Sequence, residues 1–159
     1  WLLVGLAGGI AGAKIIGVFE VIEKAPMLAY FMPLIAAMGG NVGVQSSAIV
    51  VQSIANGSLR GSTVKKLYKE LGVGLLNGIT CSLILFLFNV MFNEPLQLSI
   101  AVSISLFAVI IFAAVLGTWI PLVLHKYKID PALATGPFIT TSNDIIGLTL
   151  YFSICQMFL

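Results

Sequence analysis

Five apolar stretches, each long enough to cross a bilayer, fill almost all of this 159-residue chain and leave it little choice of architecture. A helix needs about 20 predominantly apolar residues to span roughly 30 Å of hydrocarbon. The runs Trp1 to Ile22, Pro26 to Ile54, Leu67 to Phe92, Leu96 to Leu124 and Pro131 to Leu159 each reach that length. Backbone polar groups in lipid must be satisfied within the segment, so helices are expected throughout. Composition points the same way, with 59% hydrophobic and 9% charged residues, far from the balance of soluble domains. The expected fold is all-α: a polytopic membrane protein of five transmembrane helices, with residues 1–159 as a single domain and no soluble module long enough for separate chemistry. The opening "WLLVGLAGGIAGAKIIGVF" lacks the basic approach and the cleavage site of a signal peptide. With no initial Met, the chain reads as a fragment of a longer protein.

Charge sets an expected orientation. Arg60, Lys65, Lys66 and Lys69 lie between the second and third runs, and Lys126 and Lys128 between the fourth and fifth. The opposite connections carry only Glu23 with Lys24, and Asn93 with Glu94. The positive-inside rule places the amino end in the cytoplasm and the carboxyl end outside, in the cell (inner) membrane. The net charge of +2 reflects this asymmetry and gives no reason to expect nucleic acid as a partner. Cys81 and Cys155 fall in apolar runs and read as small hydrophobes, without metal-ligand spacing. His125, the lone imidazole, sits in a basic loop and reads as a solvated residue.

The runs differ in texture. The third and fourth are rich in Leu, Ile, Val and Phe and read as scaffold. In the first, Gly5 with Gly9 and Gly8 with Gly12 form small-xxx-small pairs that let another helix approach closely. Lys14 reads as too deep for an easy escape to either interface, while Glu20 and Lys24 stand at i,i+4 as a structural ion pair. The second run contains "PLIAAMGGNVGVQSSA", where Pro33, Gly39, Gly40 and Gly43 predict a kink or unwound turn. The fifth carries a matching interruption in "DPALATGPFITTSND". Two Gly/Pro-interrupted membrane segments bearing polar groups are a sequence-level pointer to a transport site; a helix interface glued by Ser, Thr and Asn is the plainer alternative.

Helical spacing sharpens the fifth run. Gly136, Thr140 and Asp144 follow at i,i+4, and Pro137, Thr141, Asp144 and Gly147 continue the stripe, so one face is small, oxygen-rich and acidic. An isolated carboxylate inside a membrane is costly and needs a partner. Hydroxyls, carbonyls and a carboxylate are hard donors that suit Mg²⁺ or Ca²⁺. Two other readings fit the same stripe: a proton-coupled carrier of another solute with Asp144 as proton relay, and a non-transporting anchor subunit. No enzyme is expected, since an intramembrane aspartyl protease needs a second carboxylate and the only other Asp, Asp130, sits at the cytoplasmic edge.

"PLIAAMGGNVGVQSSAIVV" at Pro33 to Val51, "DPALATGPFITTSNDIIGLTLYF" at Asp130 to Phe152, "VGLLNG" at Val73 to Gly78 and "FEVIEK" at Phe19 to Lys24 together resemble the membrane domain of the MgtE family of magnesium channels and transporters. The resemblance covers essentially the whole chain. It implies a five-helix domain working as a homodimer in the lipid bilayer, with an ion path for Mg²⁺, or for Mn²⁺ or Ca²⁺, between spans two and five. The family's pore carboxylate falls on Asp144, with Gly136 and Thr140 beside it as further metal-site positions. Gly40, Asn41, Val44, Ala48, Thr141 and Gly147 are the expected pore lining; Val44, Ala48 and Gly136 replace polar residues of the family. Such proteins usually carry a cytoplasmic regulatory domain with CBS modules, which this sequence does not include.

Overall fold

The computed structural model describes residues 1–57, 63–134 and 136–159, with the backbone alone for 63–67 and 134. Among the described residues six α-helices follow one another: α1 Leu2–Ile16, α2 Val21–Lys24, α3 Leu28–Ala55, α4 Thr63–Met91, α5 Leu96–Lys126 and α6 Pro137–Phe158, with a 3₁₀ turn at Pro131–Ala134 just before α6. Arg60 lies outside the described residues, as do the side chains of Lys65 and Lys66. Of the described segments, three are helices long and apolar enough to cross a membrane: Leu28–Ala55, Tyr68–Met91 and Leu96–Lys126. The 22 residues of α6 are diluted by Thr, Ser, Asn and Asp, and α1 is apolar but has only 15 residues, or about 22 Å at 1.5 Å per residue.

The fourth run is the central scaffold of the bundle. It forms α5, which packs against α3, α4 and α6 and buries Val102, Leu106, Val109, Ile110 and Ala113 almost completely. A short turn with Asn93 in the left-handed region (φ 60°) reverses the chain from α4 into α5. The two then run antiparallel, with Gly78 against Phe107 and Gly74 against Ala114. The rest of α4 displays Leu76, Ile79, Leu83 and Leu87 on an exposed apolar face, as a scaffold helix facing lipid would.

The second run departs from its expectation. Helix α3 continues unbroken from Leu28 to Ala55, so the unwound turn predicted around Pro33 to Gly43 does not form. Pro33, in the second turn, leaves the Ala29 carbonyl without its helical N–H partner and crowds it, yet the helix carries on through it. Gly39, Gly40 and Gly43 are buried against α5 and α6, and that packing outweighs their poor helix propensity. The fifth run does break: Gly136 adopts φ 72°, ψ −128°, a conformation open to glycine, and Pro137 then begins α6 at its first position.

The first run also ends early, at Gly17. Lys14 therefore lies exposed in the last turn of α1, where a cation meets the negative end of the helix dipole. Glu20 precedes α2 and Lys24 ends it; both are exposed, and the Lys24 N–H donates to the Glu20 carbonyl at 3.4 Å. Helix α1 lies along α6, with Gly8 facing Thr141 and Gly12 facing Leu148, while Gly5 and Gly9 meet nothing within 4 Å. One of the two small-residue pairs thus makes an interface within the chain.

These contacts fix a common polarity. Helices α1 and α6 run parallel and α3 antiparallel to them, so Lys69, Lys126 and Lys128 share one end of the bundle with the start of α6. Exposed His125 belongs to that end too. At the opposite end the Tyr151 hydroxyl donates to the Leu28 carbonyl at 2.9 Å, and the rings of Phe19 and Phe152 lie 5.4 Å apart. Tyr151→Phe should lower thermal stability by about 1 kcal/mol, because Leu28 keeps its helical partner and only the added bond is lost; a melt of the purified protein measures it. Both cysteines are free: Cys155 is buried, 3.5 Å from the Ser105 hydroxyl, and Cys81 is partly exposed.

Candidate functional site

A cleft of about 420 Å³ opens between α3 and α6, lined by Ala36, Ala37, Gly40, Asn41, Val44, Gln45, Thr140 and Asp144. The glycines of α3 create it. A Cβ on Gly43 would strike Asn143 and come within 2.8 Å of Ile139, so the missing side chain is what lets Asn143 enter. The Asn143 side chain is 2% exposed and donates from Nδ2 to the Gly39 carbonyl at 3.2 Å. A Cβ on Gly40 would sit 3.4 Å from the Thr140 methyl. Behind them Gly117 of α5 lies against the backbone of Gly43, and Gly39 faces Val109. Three helices therefore converge on a junction of small residues, and α6 is clamped with Thr140 and Asp144 turned towards the cleft.

The start of α6 is locally fixed. The Gly136 carbonyl accepts both the Thr140 N–H, at 3.0 Å, and the Thr140 hydroxyl, at 3.2 Å. Asp130 stands apart, its Oδ1 accepting from the Ala132 N–H at 2.9 Å to cap the 3₁₀ turn. Asp144 is thus the one charged side chain among the residues that line the cleft. Among the described residues no three His, Cys, Asp or Glu side chains gather in one place.

Gly40, Asn41, Val44, Thr140 and Asp144 meet in the cleft as a group. Others of the stripe point elsewhere: Thr141 turns to Gly8 of α1, and Gly147 is buried against Val109 of α5. Ala48 is exposed one turn beyond Val44, and Gly136 is the hinge residue below Thr140. Sequence reasoning missed Ala36, Ala37 and Gln45 as lining, although Gln45 follows Asn41 at i+4. It also missed Asn143 as the clamp; the spacing of Gly39 and Gly43, which leaves room for a large side chain opposite, was the available signal.

The arrangement can be set beside known proteins. Residues 32–154 match the family model described as MgtE, divalent cation transporter. This chain belongs to the MgtE family. Over its whole length it is 36% identical to the magnesium transporter MgtE of Bacillus subtilis, 33% to that of Thermus thermophilus and 32% to that of Enterococcus faecalis. The chain spans 36% of the length of each of these relatives. The MgtE match takes in both helices of the cleft, with Asp144 and the Gly39 to Gly43 junction inside it.

Proposed function

We propose that this chain is the ion-conducting membrane domain of a magnesium transporter, passing largely hydrated Mg²⁺ past Asp144 in a path shared by two copies of the chain. The observation that carries the proposal is the cleft itself: an open, small-residue groove whose lining includes one carboxylate and neutral oxygen donors. All five long segments cross the membrane in this reading. The end that bears Lys69, Lys126 and Lys128 faces the cytoplasm, as the positive-inside rule requires.

A single carboxylate on each chain is a poor cage for a bare dication, and Mg²⁺ dehydrates reluctantly. The site is better suited to holding the ion through its coordinated water. Two-fold symmetry would bring a second cleft to face the first, doubling the negative charge and closing the groove into a path. The ion then balances carboxylates that would otherwise repel each other in a low-dielectric setting. Small residues on the α3 wall leave the width that a hydrated ion needs.

Purified chain in proteoliposomes loaded with a Mg²⁺-sensitive dye tests this. Uptake driven by a Mg²⁺ gradient, competed by Mn²⁺ or Ca²⁺ and unaffected by collapsing a pH gradient, is the expected result. Uptake that requires the pH gradient would replace the channel with a proton-coupled carrier; an absence of cation uptake would leave an anchoring role.

A further inference from the structure

Among the described residues α3 and α4 both pack on α5 but hardly on each other. Their small residues are already engaged elsewhere: Gly74 and Gly78 of α4 against α5, Gly39 and Gly43 of α3 against α5 and α6. Between the two helices, on the side of α3 away from Asp144, a groove of about 450 Å³ stays open. Leu34 and Met38 form one wall, Ile84 and Phe88 the other, and Leu106 of α5 the floor. Cys81 lies at the inner end with Met38, and Tyr30, 78% exposed, lies at the mouth with Phe88. Just before α3 begins, the exposed side chains of Glu20, Glu23 and Lys24 put both signs of charge at that same end of the bundle.

From this we infer that the groove between α3 and α4 is a lipid site, seating one acyl chain of an amine-headed phospholipid from the leaflet opposite the cytoplasm. From Tyr30 to Met38 the α3 wall rises about 12 Å at 1.5 Å per residue, close to the hydrocarbon depth of one leaflet, about 15 Å. The lining gives water almost nothing to bond to. The groove opens beside the exposed apolar face of α4, where Leu83 and Leu87 meet lipid. At its mouth a tyrosine ring suits the boundary between chains and headgroups. Lys24 there complements a phosphate, and Glu20 and Glu23 complement an ammonium. A second copy of the chain is engaged on the other side of α3, where Ala36, Ala37 and Gly40 look into the cleft. The inference goes beyond conduction and requires only that α3 and α4 cross the bilayer. Its consequence is that α3 has the ion path on one side and a lipid chain on the other, so the occupant braces the wall of the cleft from behind.

Native mass spectrometry of the purified chain, released from detergent micelles with dioleoyl phosphatidylethanolamine added, tests the site without reference to flux. The parent should retain one lipid per chain under activation that strips the rest. Cys81→Phe and Ile84→Trp, which fill the groove, should abolish that retention. Ile84 is 61% exposed, so its substitution leaves the core in place. Leu76→Trp, on the exposed face of α4 and outside the groove, should retain lipid as the parent does. Diolein, with the same chains and no headgroup, should bind the parent roughly tenfold more weakly, the loss of one hydrogen bond between charged groups. Lys24→Ala should bring phosphatidylethanolamine down to the level of diolein. Retention equal to the parent in both filling variants overturns the site, as does an equal loss in Leu76→Trp, which would mark the lipid as general coating of the apolar surface. No retained lipid on the parent overturns it too, and so does diolein held as firmly as the phospholipid.

Discussion

Replacing Asp144 by Asn is expected to abolish Mg²⁺ uptake while the protein stays folded. The amide keeps the size of the side chain, and the half-buried position in the cleft gives it room. What disappears is the charge. A carboxylate in a membrane helix costs about 3 kcal/mol on insertion scales, so a residue retained only for packing would become cheaper as Asn and transport would continue. A residue retained for the ion gives the opposite result: helicity and melting temperature without divalent ions are equal to or above those of the parent, and the stabilisation added by Mg²⁺ is gone. Uptake and melting curves at several Mg²⁺ concentrations, read together, decide the matter. Full uptake by the Asn variant would remove Asp144 from the ion path.

The largest structural effect is expected at Gly43. An alanine there drives a Cβ into Asn143 and to 2.8 Å from Ile139, in the place where α3, α5 and α6 meet. Overpacking of this kind costs about 1–3 kcal/mol, and displacing Asn143 from the Gly39 carbonyl adds about 1–3 kcal/mol for a buried polar group left unpaired. Gly43→Ala should lower the melting temperature by roughly 4–24 °C and widen the α3–α6 separation. Combining it with Asn143→Ala, which clears the space, should recover part of the loss, and a double-mutant cycle measures how much. Strict additivity of the two changes would mean that Gly43 and Asn143 do not share the junction.

The length of each apolar run already determined most of the fold. Pro26 to Ile54 became Leu28–Ala55, Leu67 to Phe92 became Thr63–Met91, and Leu96 to Leu124 became Leu96–Lys126, because backbone satisfaction in an apolar setting leaves few alternatives. The break at Gly136 was legible because glycine followed by proline specifies a conformation. The absence of an unwound turn in α3 was not, since Pro33 and its glycines argue locally against a continuous helix and tertiary packing holds it together. Nor could pattern reveal that α5 sits at the centre: when nearly every residue of a helix is apolar, no face stands out as the buried one. The α6 stripe divides between two neighbours for the same reason. Small residues line clefts and close helix contacts alike, so Thr140 and Thr141 look equivalent in sequence, yet one faces the cleft and the other Gly8.

The seating of α1 has a mechanical corollary. Among the described residues its substantial contacts are with α6 alone, through Gly8 against Thr141 and Gly12 against Leu148, whereas α6 is also braced by α3 and α5. A pull or twist applied to α1 is therefore delivered first to the helix that carries Asp144, through the residue next to Thr140. The bulk of α3, α4 and α5 shares the load only afterwards. Helix α1 is in that sense a lever whose fulcrum is the back of the ion-facing helix, and bulk added at Gly8 would jam it.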